Sequence, residues 1–235
     1  MIMDKLHKFS RLEKIIGEEN MVGFSHKSVL VLGCGGVGGY VIESLARSGI
    51  GTLVIIDYDT VEESNMNRQI IALDSTVGEN KVDVWKERIH DIHKDCKVIS
   101  WKQKIEKENI ELLFQEKVDY IVDACDMVST KKELIKECLA RKQKFISCMG
   151  TGNKLDPSQL EITELTKTVN DPLARILRKY VKDEKLKGKI MVCSSKEVPI
   201  KTKERTPGSS AFVPSSAGLL IASYIVRDFL KEKSE

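Results

Sequence analysis

No C-x-x-C pair occurs anywhere in the 235-residue sequence; its six cysteines stand apart at 34, 96, 125, 138, 148 and 193. That argues against a structural zinc held by four cysteines and against a disulfide framework, and it fits a reducing compartment. Long apolar runs are missing too. The longest, AGLLIASYIV, falls well short of the roughly 20 residues a bilayer span requires. The opening segment MIMDKLHKFSRLEKI is charged and its apolar run is too short for a signal peptide. The expectation is a cytoplasmic protein with no membrane partner. A dominant charge sign is also absent, since 38 Lys and Arg against 35 Asp and Glu leave a formal charge of only +3. Net charge therefore does not announce nucleic-acid binding, although the 141–144, 178–189 and 201–205 segments are locally basic. There is no internal repeat and no low-complexity tract.

What is present is a regular alternation. Val29–Leu32 is a continuous apolar run, as suits a strand buried on both faces of a parallel sheet. Gly36–Ser48 has helical spacing, with Val37, Val41, Ile42 and Leu45 turned inward. Residues 49–51 (GIG) stop that helix and 52–57 (TLVIID) form the next strand. Asn80 is placed to cap a helix running to about His93, with Val82, Trp85 and Ile89 on one face. CKVISW, VDYIVDACD and KFISCMGTGN read as further strands, separated by the helical segments ENIELLFQE and STKKELIKECLARK. Beyond Gly152 come a strand (QLEITEL), a helix with Pro172 in its first turn, a strand (KIMVCSS), a Gly/Pro/Ser-rich crossing loop over 204–218 and a closing apolar helix. The expected fold is α/β, a Rossmann-like doubly wound, mostly parallel sheet with a C-terminal capping extension. It is expected to be a single domain: an arm over 1–27, a nucleotide-binding core over 28–152, and a substrate-side cap with closing helix over 153–235.

The strand, Gly33-x-Gly35-x-x-Gly38, helix, strand, Asp57 order is that of a dinucleotide-binding unit. On its own the loop suits NAD as well as any other nucleotide. Downstream stand Asn65-x-x-Arg68-Gln69, then Lys81, then Asp123-x-x-Asp126. NAD binding and hydride transfer leave Arg68, Lys81 and Asp126 without a task.

The ordered set resembles the ubiquitin-activating-enzyme-like superfamily of adenylating proteins, the ThiF/MoeB/HesA group, over nearly the whole chain. The resemblance implies ATP, attack of a carboxylate on its α-phosphate, and departure of pyrophosphate. Gly33, Gly35, Gly36 and Gly38 would then cradle phosphate at a helix N-terminus, and Asp57 would accept from the ribose hydroxyls. Arg68 and Lys81 would carry positive charge to the phosphates, and Asn65 would donate an amide hydrogen bond. Asp126 would hold Mg2+, an ion that takes one or two carboxylates beside phosphate oxygens. Asp59 and Asp123 fall within the same implied nucleotide site. Relatives add an arginine from the partner's N-terminal arm, which matches Arg11 here and implies a homodimer.

Within this superfamily, CMGTGNKLDPSQLEITELTKTVNDPLARILRKY, DACDMVSTKKELI and GSSAFVPSSAGLLIASYIVRDFL are similar to the tRNA threonylcarbamoyladenosine dehydratases. That family resemblance implies ATP-dependent cyclisation of threonylcarbamoyladenosine beside the tRNA anticodon, with the carbamoyl group displacing AMP from an adenylated threonyl carboxylate. Intramolecular attack requires no protein nucleophile. Arg175, Arg178 and Lys179 would meet RNA phosphates. Met127 departs from the small polar residue of many relatives. Cys193 matches the region of a reactive cysteine in the carrier-activating branch, and is either a structural strand cysteine or a link to a sulfur-relay partner. The alternative function is an adenylyltransferase and sulfurtransferase for a ubiquitin-like sulfur carrier, whose paired C-x-x-C motifs are missing.

Overall fold

In the computed structural model, residues 7–204 and 206–231 are described. Residues 1–6 of the arm, and Arg205 of the 201–205 basic cluster, lie outside the described residues.

The sheet contains β1 (Ser28–Leu32), β2 (Thr52–Ile56), β3 (Lys97–Trp101), β4 (Tyr120–Asp123), β5 (Phe145–Cys148), β6 (Leu160–Glu164) and β7 (Met191–Ser195). Their spatial order is β3-β2-β1-β4-β5-β7-β6. Every neighbouring pair is parallel except β6 with β7. The order reverses direction at β1 and β4, which opens a crevice at their carboxyl ends.

Strand alternation assigns each apolar residue to one of two cores. Val29, Val31, Leu53, Ile55 and Val122 face α3 (Gly38–Arg47), α4 (Lys81–Ile92) and α7 (Phe212–Lys231). Leu30, Leu32, Val54, Ile56 and Ile121 face α5 (Val128–Arg141) and α6 (Pro172–Asp183), where Leu134, Ile135, Ala174 and Leu177 are fully buried. Burying each Leu or Ile contributes about 1.5–3 kcal/mol. The Val82, Trp85 and Ile89 face of α4 is fully buried as its spacing predicts. In the arm, α1 (Ser10–Ile16) and α2 (Glu18–Phe24) turn at Gly17 and dock Phe9 and Met21 against Gly49, ahead of β2.

Three local expectations differ. The crossing loop ends at Ala211, because the closing helix already begins at Phe212 and carries Pro214 in its first turn, where a missing N–H has no intrahelical partner to lose. ENIELLFQE is a 3-10 segment over Lys107–Phe114. Asn80 precedes α4 but makes no side-chain cap; its Nδ2 donates to Asp83 Oδ2 at 2.7 Å. The two strands expected in the 153–235 segment are β6 and β7, which join the same sheet ahead of the closing helix. Among the described residues no helix is long and apolar enough to cross a membrane.

Candidate nucleotide-binding site

The carboxyl ends of β1, β2 and β4 open onto a cavity of about 260 Å³. Gly33, Gly35 and Gly36 form one wall, and Asp57, Asp59, Asn65, Arg68, Lys81 and Asp126 complete it. Gly33 adopts φ +88°, and a Cβ there would stand 2.7 Å from the Ala124 carbonyl oxygen, so only glycine fits. Gly38 does not line the cavity. A Cβ on it would lie 1.8 Å from the Gly33 carbonyl oxygen, so this glycine lets α3 close on β1 instead.

Asp57 follows β2 directly and pins the loop: its Oδ2 accepts from Cys34 N–H at 2.7 Å and its Oδ1 from Asp59 N–H at 2.9 Å. Lys81 opens α4 and is 4% exposed. Its Nζ meets Asp59 Oδ2 at 2.9 Å, whereas the Asp59 side chain is 46% exposed. Arg68 is half-buried and folds back, Nη1 donating to the Ser64 carbonyl and to Asn67 Oδ1, each at 2.8 Å. Buried Asn65 closes its own turn, Oδ1 accepting from Glu62 N–H at 3.2 Å and Nδ2 donating to Ser64 Oγ at 3.3 Å.

Asp126 is exposed and makes no ion pair among the described residues. Its field is nonetheless felt: the Tyr58 hydroxyl is pushed above the ordinary tyrosine value, first by Asp59, then by burial and by Asp126. A cation at this end of the cavity would relieve that accumulation of negative charge. Among the described residues no group of three or more His, Cys, Asp or Glu is arranged to hold a metal. Mg2+ needs no such cage when phosphate oxygens complete its shell, so these residues fit the ion.

Besides Gly38, two expected site residues are not brought to the cavity. Asp123 is fully buried at the end of β4, paired with Lys131 Nζ at 3.0 Å and accepting from Ser147 Oγ at 2.6 Å. Those partners consume its carboxylate, so it is a correction to the nucleotide-contacting set. Arg11 is exposed on α1, on an arm docked ahead of β2, which is the opposite end of the sheet from the cavity. It does not serve the cavity of its own chain. Arg178 corrects the RNA-facing set: its Nη1 donates to the Thr168 carbonyl at 2.9 Å and also to Thr168 Oγ1, which ties α6 to the preceding turn. Arg175 and Lys179 are exposed. Cys193 is 1% exposed in β7, and its thiol is pushed well up, first by hydrogen bonding with Cys148 and then by burial. Burial and a raised thiol are the features of a structural strand cysteine rather than a reactive one.

The cavity also recruits residues that sequence reasoning passed over. Gln69 is 6% exposed and its Oε1 is buried without a partner. It stood beside Arg68 in the motif, which was the available signal. Gln103, Thr151 and Ser209 reach the wall from the loops after β3 and β5 and before α7, and only topology brings them there.

A doubly wound sheet whose switch point gathers a glycine loop, a ribose-ready carboxylate and two cations defines a nucleotide-binding protein. Known proteins narrow the class. The ThiF family matches residues 9–235. The tRNA threonylcarbamoyladenosine dehydratase of Bacillus subtilis is 41% identical, covering 97% of this chain and 96% of that protein. The crystal structure of Escherichia coli tRNA N6-threonylcarbamoyladenosine dehydratase, TcdA, in complex with ATP superposes with a TM-score of 0.92 at 31% identity, covering 97% of this chain and 96% of that one. The adenylyltransferase and sulfurtransferase MOCS3 of Culex quinquefasciatus is 34% identical over only 56% of this chain and 30% of its own length. The chain therefore belongs to the ThiF family, and to the tRNA threonylcarbamoyladenosine dehydratase enzymes within it.

Proposed function

We propose that this enzyme cyclises threonylcarbamoyladenosine in tRNA at the expense of ATP, in the cytoplasm and as a homodimer. The observation that carries the reading is convergence: Asp57, Arg68, Lys81 and Asp126 come from separate segments and line one cavity behind the glycine loop. A threonyl carboxylate oxygen attacks the α-phosphorus of ATP, the bond to pyrophosphate breaks, and an acyl-adenylate forms. The carbamoyl group then attacks the acyl carbon and loses a proton. AMP leaves with the former carboxylate oxygen, so the net change in the nucleoside is loss of water.

The protein's part is placement and charge. Backbone N–H groups of the glycine loop, at the start of α3, face the phosphates. Asp57 holds the loop through Cys34 N–H and keeps lone pairs for the ribose hydroxyls. Lys81 begins on Asp59, whose half-exposed carboxylate is a partner that phosphate can replace. Arg68 likewise unfolds from two neutral acceptors toward an anionic one. Asp126 would hold Mg2+, which when bound neutralises phosphate oxygens as charge builds on the leaving group. Arg11 would act from the partner's arm, and Arg175 and Lys179 would meet RNA phosphates. A sulfur-relay partner has little to engage, because five cysteines are buried and Cys125 is half-buried with its thiol pushed up, first by burial.

Isotope exchange between pyrophosphate and ATP tests the substrate class. The reading predicts exchange that depends on threonylcarbamoyladenosine-bearing tRNA. Exchange that depends instead on a Gly-Gly-tailed carrier protein would move the enzyme to the sulfur-carrier branch.

A further inference from the structure

Lys131 lies in the first turn of α5 with its side chain 1% exposed. All of its donor capacity is engaged: Nζ donates to Asp123 Oδ1 at 3.0 Å, to the Cys148 carbonyl at 2.9 Å and to Ser147 Oγ at 3.4 Å. Burial is the largest influence and would lower its pKa, but the charge and hydrogen bond of Asp123, together with Cys125 and Cys148, hold the ammonium above the ordinary lysine value. Asp123 is itself closed off, since its Oδ2 accepts from Ser147 Oγ and its Oδ1 also accepts from Cys125 Sγ at 3.1 Å.

Neither charge lines the cavity. Stability gives little reason to bury them, because apolar replacement of a buried ion pair is often neutral or favourable. Their place in the chain gives a better reason. Asp123 ends β4 and Cys148 ends β5, and the cavity residues Asp126 and Thr151 each follow three positions later. The neighbouring Thr130 donates through Oγ1 to the carbonyl of Ile105, at 2.7 Å, and both residues line the same cavity. On the far side of the β5 turn, Gly150 is gripped twice, its N–H by Asp171 Oδ2 at 3.0 Å and its carbonyl by Lys154 Nζ at 2.9 Å.

We propose that Lys131 is a positioning residue for the adenylation reaction, locking the exits of β4 and β5 so that Asp126 and Thr151 stand in place before nucleotide arrives. It touches no substrate. The inference rests on the nucleotide-site reading given above and adds a residue outside that site to it.

Lys131→Met alone strands the Asp123 charge and risks unfolding. The deciding variant is therefore Asp123→Asn with Lys131→Met, which removes both charges and keeps the volumes. Three readouts apply to the full-length enzyme: thermal unfolding, the split between kcat and the KM for ATP, and amide hydrogen exchange. The expected result is a folded protein whose kcat falls about tenfold to hundredfold while KM changes little, as for a small misplacement of reacting groups. Amides at 124–127 and 149–151 should exchange faster while the rest of the sheet keeps its protection. Unchanged kcat and exchange in the folded double variant would overturn the proposal. So would a uniform loss of protection with a lower melting temperature, which marks a purely structural pair. Should the wild-type enzyme leave the tRNA nucleoside linear, the functional reading fails, and the exchange pattern still decides the role of Lys131.

Discussion

Two lysine–aspartate pairs flank the same cavity, with nearly the same N–O distance and opposite surroundings. Lys81 and Asp59 meet at 2.9 Å with the carboxylate 46% exposed; Lys131 and Asp123 meet at 3.0 Å with both side chains within 1% of full burial. The first pair is open at one end, so water or phosphate can compete for the lysine. The second is closed, and breaking it leaves a charge with no solvent to reach. The open pair suits exchange of partners during a reaction, whereas the closed one suits holding backbone in place.

The contrast is tested hardest at Lys81. Lys81→Ala should lower turnover by about a thousandfold, the scale of a lost cation on a transferring phosphoryl group. It should cost at most about 1 kcal/mol of stability, since exposed Asp59 simply hydrates. Chemical denaturation alongside single-turnover kinetics measures both, and near-normal turnover would remove Lys81 from the site. Lys131→Met should do the reverse in the denaturation curve, losing about 3–5 kcal/mol because Asp123 is left buried and unpaired. The pH dependence has a definite sign. With the Lys131 pKa raised in the fold, the pair's contribution is complete below the ordinary lysine value of 10.5 and is lost as pH climbs through the raised one. The melting temperature of the wild type should therefore fall more steeply at alkaline pH than that of the double variant, which carries neither charge.

Smaller effects refine the distinction between the two pairs and their surroundings. Asp59→Asn frees Lys81 before ATP arrives, and turnover should stay within about tenfold of wild type, the scale of one exposed ion pair. A collapse to the Lys81→Ala level would mean that Asp59 itself works on substrate. Arg175→Glu with Lys179→Glu should weaken tRNA affinity and reduce the slope of its salt dependence by about two phosphate contacts, measured by filter binding at several salt concentrations. An unchanged slope would take RNA off that face of α6. Cys193→Ala should be nearly silent in turnover, although loss of a buried thiol costs about 1 kcal/mol in the denaturation midpoint.

The succession of strands along the chain and the glycine loop were legible because each depends on local rules. A strand buried on both faces must be continuously apolar, and a backbone position at φ +88° selects glycine. Asp57, Asn65, Arg68, Lys81 and Asp126 were legible as members of an ordered set, and they line the cavity together with Asp59. Asp123 was not, because the two aspartates of one short motif look equivalent in sequence. The last residue of a buried strand and a residue three places into the loop have different solvents. Arg178 carried a signal that its charge obscured: it follows Ala174 by four positions and precedes Val181 by three, which puts it on the buried stripe of α6. Thr151 and Ser209 could not be read at all, since chain crossings rather than spacing bring them to the wall.

The decisive experiment is mass spectrometry of nucleosides from threonylcarbamoyladenosine-bearing tRNA incubated with the enzyme, ATP and Mg2+. The expected product is lighter by one water, formed only with ATP and missing with Lys81→Ala. Linear nucleoside unchanged by the wild-type enzyme, in a reaction where an active dehydratase cyclises the same tRNA, would contradict the proposed function.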